Sequence, residues 1–275
     1  MCEVLEVSKS GYYAWDSRGI SERQRTDAIL LAEIREEYRK SRRNYGSPRI
    51  YKALKGQGMR LGQKRVARVM RQNAIVAEPF RRLHWKRCFK TAKAAGNLVK
   101  REFAVQELNR IWAADMTSFW TGSGWIHLAV VMDLCFRRIV GWAMHGQMTE
   151  RLVVDALEMA VLNRNPVGPL IHHSDQGSQY QSQLFKDKLQ ENGITLSMSR
   201  RGNCWDNACV ESFFKTVKNE MQNDARFKTR DEARAQLFDY IEVFYNRQRL
   251  HSTLGYKSPA QFESTLPIRV STKAG

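Results

Sequence analysis

The sequence predicts an α/β protein: a mixed five-stranded sheet flanked by helices, preceded by an all-α helix-turn-helix region. Three observations predict it. After residue 108, three apolar segments follow one another at hairpin spacing. Beyond residue 149, helical and strand patterns alternate. Before residue 80 the patterns are helical only and strongly basic. A length of 275 residues allows one to three domains, and 43% hydrophobic residues is too many for a disordered chain. No window approaches the roughly 18 uninterrupted apolar residues of a membrane span, and the N-terminus has no secretory pattern. The five cysteines, Cys2, Cys88, Cys135, Cys204 and Cys209, are odd in number and scattered. They predict a reducing, cytoplasmic setting rather than a disulfide framework.

Charge divides the chain. Residues 1–100 hold 24 Lys and Arg against 9 Asp and Glu; residues 101–275 hold 21 against 19. The first part is built to meet a polyanion. It lacks the amphipathic helix with a Trp or Phe face that a membrane surface would need, so the sequence points to nucleic acid.

The elements follow in order. Val4 to Arg18 carries a Ser8–Tyr13 turn and has no clear assignment. Thr26 to Lys40 is helical, with Leu30, Ile34 and Tyr38 at i, i+4 and i+8. Ser47-Pro48 predicts a helix start with Ser47 as N-cap, running through Ile50 and Leu54 to Gly56 or Gly58. A third helix from Gly62-Gln63 has Val66, Val69 and Met70 on its apolar side and Lys64, Arg65, Arg68 and Arg71 on the other. Three short helices with a basic last member suggest a helix-turn-helix unit at 1–80; a helical bundle with a solvated basic face is the plainer reading. Residues 81–104 form a basic linker. Its Trp85 and Phe89 either pack against sugar and base or decorate a mobile tether.

Ile111 to Trp120, Trp125 to Leu134 and Arg138 to His145 read as strands, the first two joined by Gly122-Ser123-Gly124. A helix opens at Thr149-Glu150. Then come a strand at Leu170–His173, a helix at about 181–192, a strand at Ile194–Met198, and helices at about 205–221 and 231–247. The catalytic region spans 105–262 and a tail spans 263–275.

Three acids stand out on this layout. Asp115 lies inside an otherwise apolar strand, a costly place unless it is paired or bound to a cation. Asp175 sits where the fourth strand ends, and strand ends of open sheets gather ligands. Glu211 lies on a helix at the edge of the stripe Val210, Phe214, Val217 and Met221. At about 100° per residue, Asn207, Glu211 and Lys218 point within roughly 40° of one another. Hard carboxylate oxygens suit magnesium, and two ions about 3.5–4 Å apart can activate one oxygen and stabilise another. Each acid alone reads more often as a cap or a surface charge; the conjunction is what is specific.

Asp115, Asp175 and Glu211, with Lys218 seven residues on, resemble the DDE signature of retroviral-integrase-like transposases. His173-Ser174-Asp175-Gln176-Gly177-Ser178-Gln179-Tyr180, Gly202-Asn203-Cys204-Trp205-Asp206-Asn207-Ala208 and Glu211-Ser212-Phe213-Phe214-Lys215 are similar to the OrfB product of bacterial insertion sequences of the IS-three group. So are Tyr245-Asn246, Arg249, His251 and Leu254-Gly255-Tyr256, and, upstream, Tyr45–Ile50 and Val66, Arg68 and Met70. The resemblance covers nearly the whole chain. It implies an RNase H-like catalytic core with two Mg2+ or Mn2+ ions. It also implies cleavage of double-stranded DNA at element ends and transfer of the freed 3′-OH to target DNA. OrfA or an OrfA–OrfB fusion product is the implied partner, with assembly of several copies on DNA; no membrane is implied. An inactive DNA-binding regulator derived from a transposase and an RNase H-type nuclease are the alternatives.

Some residues keep two readings. Asn207 orients Glu211 or contacts DNA, or it caps the helix. Lys218 holds a phosphate or is solvated. Thr117, two residues after Asp115, shares its sheet face and supports it. His172 and His173 point to opposite faces, so only one can approach the acids: His173 lies beside the metals or is a satisfied core histidine. Cys204 and Cys209 lack a partner pair for zinc.

The charge partition predicts that a fragment of residues 1–100 binds duplex DNA with steep salt dependence while a fragment of 105–262 binds weakly. Affinity titrations at several salt concentrations test this, and equal slopes for the two fragments would contradict it.

Overall fold

The computed structural model describes residues 2–77, 107–199, 207–221 and 227–265. The linker 81–104, the segment holding Gly202 to Asp206, and the tail beyond 265 lie outside them. The chain forms two compact units, Met1–Pro79 and Phe80–Gly275.

The first unit is helical. α1 (Lys9–Asp16), in the stretch without an assignment, starts because the Ser8 hydroxyl caps the N–H of Gly11. α2 (Glu22–Lys40) begins four residues before the predicted start, at a capping box in which Ser21 and Gln24 satisfy each other's backbone N–H. α3 (Ser47–Gly56) has Gly46 as its N-cap, not Ser47. Ser47 is already helical, and Pro48 takes the second position, where a missing N–H leaves no bond unmade. α4 (Gln63–Gln72) follows Gly62. Leu30 and Ile34 of α2, Ile50 and Leu54 of α3, and Val66, Val69 and Met70 of α4 are buried as the core.

The second unit is a five-stranded sheet in the order β3–β2–β1–β4–β5. β1 (Ile111–Thr121), β2 (Gly124–Asp133) and β3 (Ile139–His145) form an antiparallel meander. β4 (Leu170–Ser174) and β5 (Ile194–Met198) pair parallel to β1 and to each other. This is the expected RNase H-like sheet with helices on both faces. On one face lie α5 (Glu150–Arg164) and α6 (Gln183–Glu191), packed on Trp112, Ala114, Ala129 and Val131. α5 approaches closely because Gly141 has no Cβ; one there would stand 2.2 Å from the carbonyl of Ala156. On the other face lie α7 (Ala208–Met221) and α8 (Arg230–Phe238), packed on Ala113, Phe119, Ile126 and Leu128. Strand alternation divides β1 between the two cores.

The predicted single helix at 231–247 is α8 followed by a π-helical segment, Asp239–Tyr245. The wider turn buries Tyr240, Ile241, Phe244 and Tyr245 together and delivers Asn246 to the outer edge of β3. There the Asn246 amide donates to the carbonyl of Ile139 and accepts from its N–H, both at 3.0 Å, so one side chain pairs an edge strand as a neighbouring peptide would. Beneath it, Glu220 of α7 is buried with Arg249, whose Nη2 donates at 2.7 Å, and with the hydroxyl of Tyr240, also at 2.7 Å. A 3₁₀ turn (Ser252–Leu254) and a short α9 (Pro259–Glu263) close the unit. Arg138 and Arg164 both bond Glu263 and hold α9. Among the described residues no helix is long and apolar enough to cross a membrane.

Replacing Glu220 with Ala leaves the Arg249 guanidinium buried without its carboxylate and should lower stability by about 3–5 kcal/mol in denaturant unfolding. A Glu220→Met, Arg249→Met double variant should recover much of that loss. A second test concerns Asp133, whose carboxylate accepts from the N–H groups of Asn109 and Cys135 at 2.8 and 2.9 Å. Burial pushes its pKa up to about 6 despite those bonds. The folded state therefore holds the proton more tightly than the unfolded chain, and this contribution is full below about pH 4 and lost as pH rises towards 6. Unfolding free energies of the parent minus those of Asp133→Asn should fall across that window and be flat above it.

Candidate active site

β1 places Asp115 and the end of β4 places Asp175. The parallel register pairs Ala113 with His173, so two residues further on Asp115 stands level with Asp175, just past the last residue of β4. α7 supplies Glu211 in its first turn. Val210, Phe213, Phe214 and Val217 of that helix pack with Ala113 and Phe119 of β1, which fixes its distance from the strand. Asn207 fixes its start: the side-chain amide donates to the carbonyl of Ala114 at 2.9 Å, one residue before Asp115. Of the sequence readings of Asn207, the geometry supports positioning Glu211 against the strand.

The three carboxyls face a common space and disturb one another. Loss of hydration raises the pKa of Asp115 well above the ordinary range. The charges of Asp175 and Glu211 raise it further, while the Met116 N–H and the Lys218 ammonium pull it down. Burial raises Asp175 against the N–H of Gly177, which donates to its carboxylate at 3.0 Å. Burial and the Asp175 charge raise Glu211. Lys218 lies 5.7 Å from the centre of the Phe119 ring; burial lowers its pKa and the charge of Asp115 opposes that. None of the three acids has a salt-bridge partner among the described residues.

Do these groups suit a divalent cation? Their chemistry does: three hard-oxygen donors, mutually repelling and without a paired cation, are what such an ion would relieve. Among the described residues, however, no three His, Cys, Asp or Glu side chains stand close enough to enclose an ion as they are.

The supporting residues divide. Thr117 is buried on the α7 face of β1, as its parity with Asp115 requires. His173 is buried, its Nδ1 2.9 Å from the hydroxyl of Ser197 on β5. His172 takes the opposite face, edge-on to Phe185, and burial holds its pKa down to about 3, so it is neutral. The four basic residues of α4 belong to the other unit. Arg65 and Arg68 are not a free basic face: Asp27 of α2 accepts from Arg65 Nε at 2.8 Å and from Arg68 Nη2 at 2.7 Å. Those two cations hold the pKa of Asp27 below the usual range. Only Lys64 and Arg71 of the four are exposed without an ion pair among the described residues.

Sequence reasoning missed Tyr180. Its ring packs on Phe185 and His172, and its hydroxyl is buried without a hydrogen-bond partner among the described residues. Burial, then the charges of Asp115 and Asp175, raise its pKa well above the ordinary value. Its signals were its place five residues after Asp175 and at the end of the segment that carries the family resemblance, and neither gives a side-chain direction.

Comparison with known proteins gives concordant results. Residues 106–204 and 192–259 match two families described as Integrase core domain, and residues 24–82 match an HTH-like domain. The chain is 40% identical over 269 residues to the insertion element IS600 uncharacterized 31 kDa protein of Shigella sonnei, covering 95% of this chain and 97% of that protein. It is 39% identical over 275 residues to the transposase InsF for insertion sequence IS3A of Escherichia coli (strain K12), covering 96% of this chain and 93% of that one. Among solved structures, a simian T-cell lymphotropic virus intasome in complex with PP2A regulatory subunit B56 gamma aligns with a TM-score of 0.49 and 14% identity. That alignment covers 78% of this chain and 71% of the other.

Proposed function

The chain belongs to the transposases of IS3-type insertion sequences, and from that premise we propose that Asp115, Asp175 and Glu211 are the carboxylates that hold its divalent metal for DNA cleavage and strand transfer. The observation that carries the reading is the convergence of the three acids: a strand, a strand end and a helix start bring residues far apart in sequence to one space, and their charges act on one another.

In the first step water adds to phosphorus at an element end and the 3′-oxygen leaves as a hydroxyl. In the second that hydroxyl adds to a target phosphodiester in line and another 3′-oxygen leaves. One P–O bond forms and one breaks each time. Bound Mg2+ or Mn2+, as two ions, would supply Lewis-acid stabilisation of the entering and leaving oxygens. The chain's own residues do the rest. Asp115 sits half-buried at mid-strand, where its carboxylate accepts from the Met116 N–H at 2.7 Å. Asp175 is held by the Gly177 N–H at the rim. Asn207 keeps the first turn of α7, and so Glu211, against β1. Lys218 brings a partly desolvated ammonium near the same space, where it would meet a substrate phosphate.

The proposed organisation is a DNA-binding helical region at 1–80, a linker at 81–104, the catalytic core at 105–262 and a tail at 263–275. The partners are double-stranded element ends and target DNA, further copies of the chain on that DNA, and OrfA or its fusion with this chain. On α4, Lys64 and Arg71 are the direct phosphate contacts, and Arg65 and Arg68 first serve the Asp27 link.

Asp115→Asn, Asp175→Asn and Glu211→Gln should each abolish joining of a labelled 3′-OH element end to target DNA, by at least about a hundredfold, while DNA retention persists. Joining at parental level in any one variant removes that residue from the site. Cleavage of RNA–DNA hybrid without joined product would favour the nuclease, and DNA retention without either activity in the parent the regulator.

A further inference from the structure

The tip of the β1–β2 hairpin carries the largest exposed aromatic surface on the sheet. Trp120 and Trp125 face each other across the two strands, with ring centroids 5.1 Å apart and edge to face. They are 58% and 49% exposed. Large indoles left in water are unusual on a sheet that buries Trp112 completely. The next cross-strand pair on the same face is Ser118 with His127, joined at 2.8 Å. Cross-strand aromatic pairs help hold a hairpin, but that role does not explain the cation beside them.

Arg230, the first residue of α8, is bound to this tip. Its N–H donates to Ser123 and its Nε to the carbonyl of Trp125, at 3.1 and 3.0 Å. The guanidinium lies against Gly124 and Gly146, where a Cβ would come within 2.8 and 3.6 Å of it. No carboxylate pairs with it among the described residues. The neighbouring acids are engaged elsewhere: Asp231 with Arg234, Glu232 with the Lys228 N–H, and Asp155 with His145 and Arg151. Two exposed indoles and a guanidinium anchored to the Trp125 carbonyl, without an ion pair among the described residues, match the chemistry of a strand with open base faces and a phosphate.

β1 runs from Asp115 past the end of β4 to Trp120, five residues and roughly 17 Å further. The odd spacing sets the indoles on the opposite face of the sheet from Asp115, beyond the end of β4.

We propose that Trp120, Trp125 and Arg230 form a second DNA-contact surface, separate from the acids, which takes unpaired nucleotides, stacking bases on the indoles and holding a phosphate on the guanidinium. The inference rests on the transposase reading for its ligand.

The test uses the full chain in EDTA, so that binding is read without chemistry. Fluorescence anisotropy compares a blunt element-end duplex with the same duplex carrying a single-stranded overhang. Trp120→Thr with Trp125→Thr should weaken binding of the overhang DNA by about tenfold or more and change binding of the blunt duplex little. Trp120→Phe with Trp125→Phe keeps aromatic faces and should restore most of the affinity, which separates stacking from hairpin stability. Arg230→Gln can still donate to the Trp125 carbonyl and should reduce the salt slope for overhang DNA by about one contact. Unchanged overhang affinity in the threonine variant, with an unaltered melting curve, overturns the proposal. So does a smaller species on gel filtration, which makes the surface a contact between copies, or a phenylalanine variant as weak as the threonine one. Because no catalysis is measured, failure here is distinct from failure of the triad, which the joining assay reads.

Discussion

The packing of α7 on β1 is the constraint on which the rest depends. A carboxyl on the helix and another on the strand have no attraction for each other; ionised, they repel, and both are partly desolvated. They are held on one side of the sheet by contacts that carry no charge. Val210, Phe213, Phe214 and Val217 bury against Ala113 and Phe119, and hydrophobic contact sets the spacing because close-packed side chains cannot interpenetrate. The Asn207 amide then fixes the rotation and height of the helix by a bond to the Ala114 carbonyl, whose strand continues directly into Asp115. Remove that packing and repulsion would separate the acids.

The same constraint bears on how the surroundings are packed. Grouped carboxyls raise one another's pKa and oppose folding wherever they ionise. The chain offsets this with two apolar layers, one on each face of the sheet. The far end of α7 is secured through Glu220 to Arg249 and Tyr240, and the π-helical segment carries Asn246 to the open edge of β3. These features lie away from the acids, yet each limits how far α7 can shift on β1. The acids themselves stay open: Asp175 is just past the end of β4, and among the described residues no three such ligands enclose a point.

In the helical unit, charge is arranged rather than merely accumulated. Asp27 draws Arg65 and Arg68 back onto α2, with Thr26 accepting a second bond from Arg65. The contact ties the basic helix to its neighbour and orients two guanidinium groups that would otherwise be flexible. Counting cations along α4 treats four residues as equivalent, whereas the fold makes two of them part of a link between helices.

The sequence by itself determined the order of strands and helices, because periods of two and of 3.6 are set by local backbone geometry and leave their mark on which residues are apolar. It also singled out the three acids, because a charge within an apolar strand, at a strand end or at the edge of an apolar stripe is conspicuous in one dimension. Short-range chemistry remained ambiguous: Ser8 caps a helix that its flanking pattern did not announce, and Gly46 rather than Ser47 precedes α3. Only the tertiary structure decided which side chains meet. Asn207 against the Ala114 carbonyl, Asp27 between Arg65 and Arg68, Tyr180 behind the acids and Arg230 at the hairpin tip all depend on residues far apart in the chain. The direction of a side chain across such a gap is set by packing between elements, which leaves no periodic trace in the sequence.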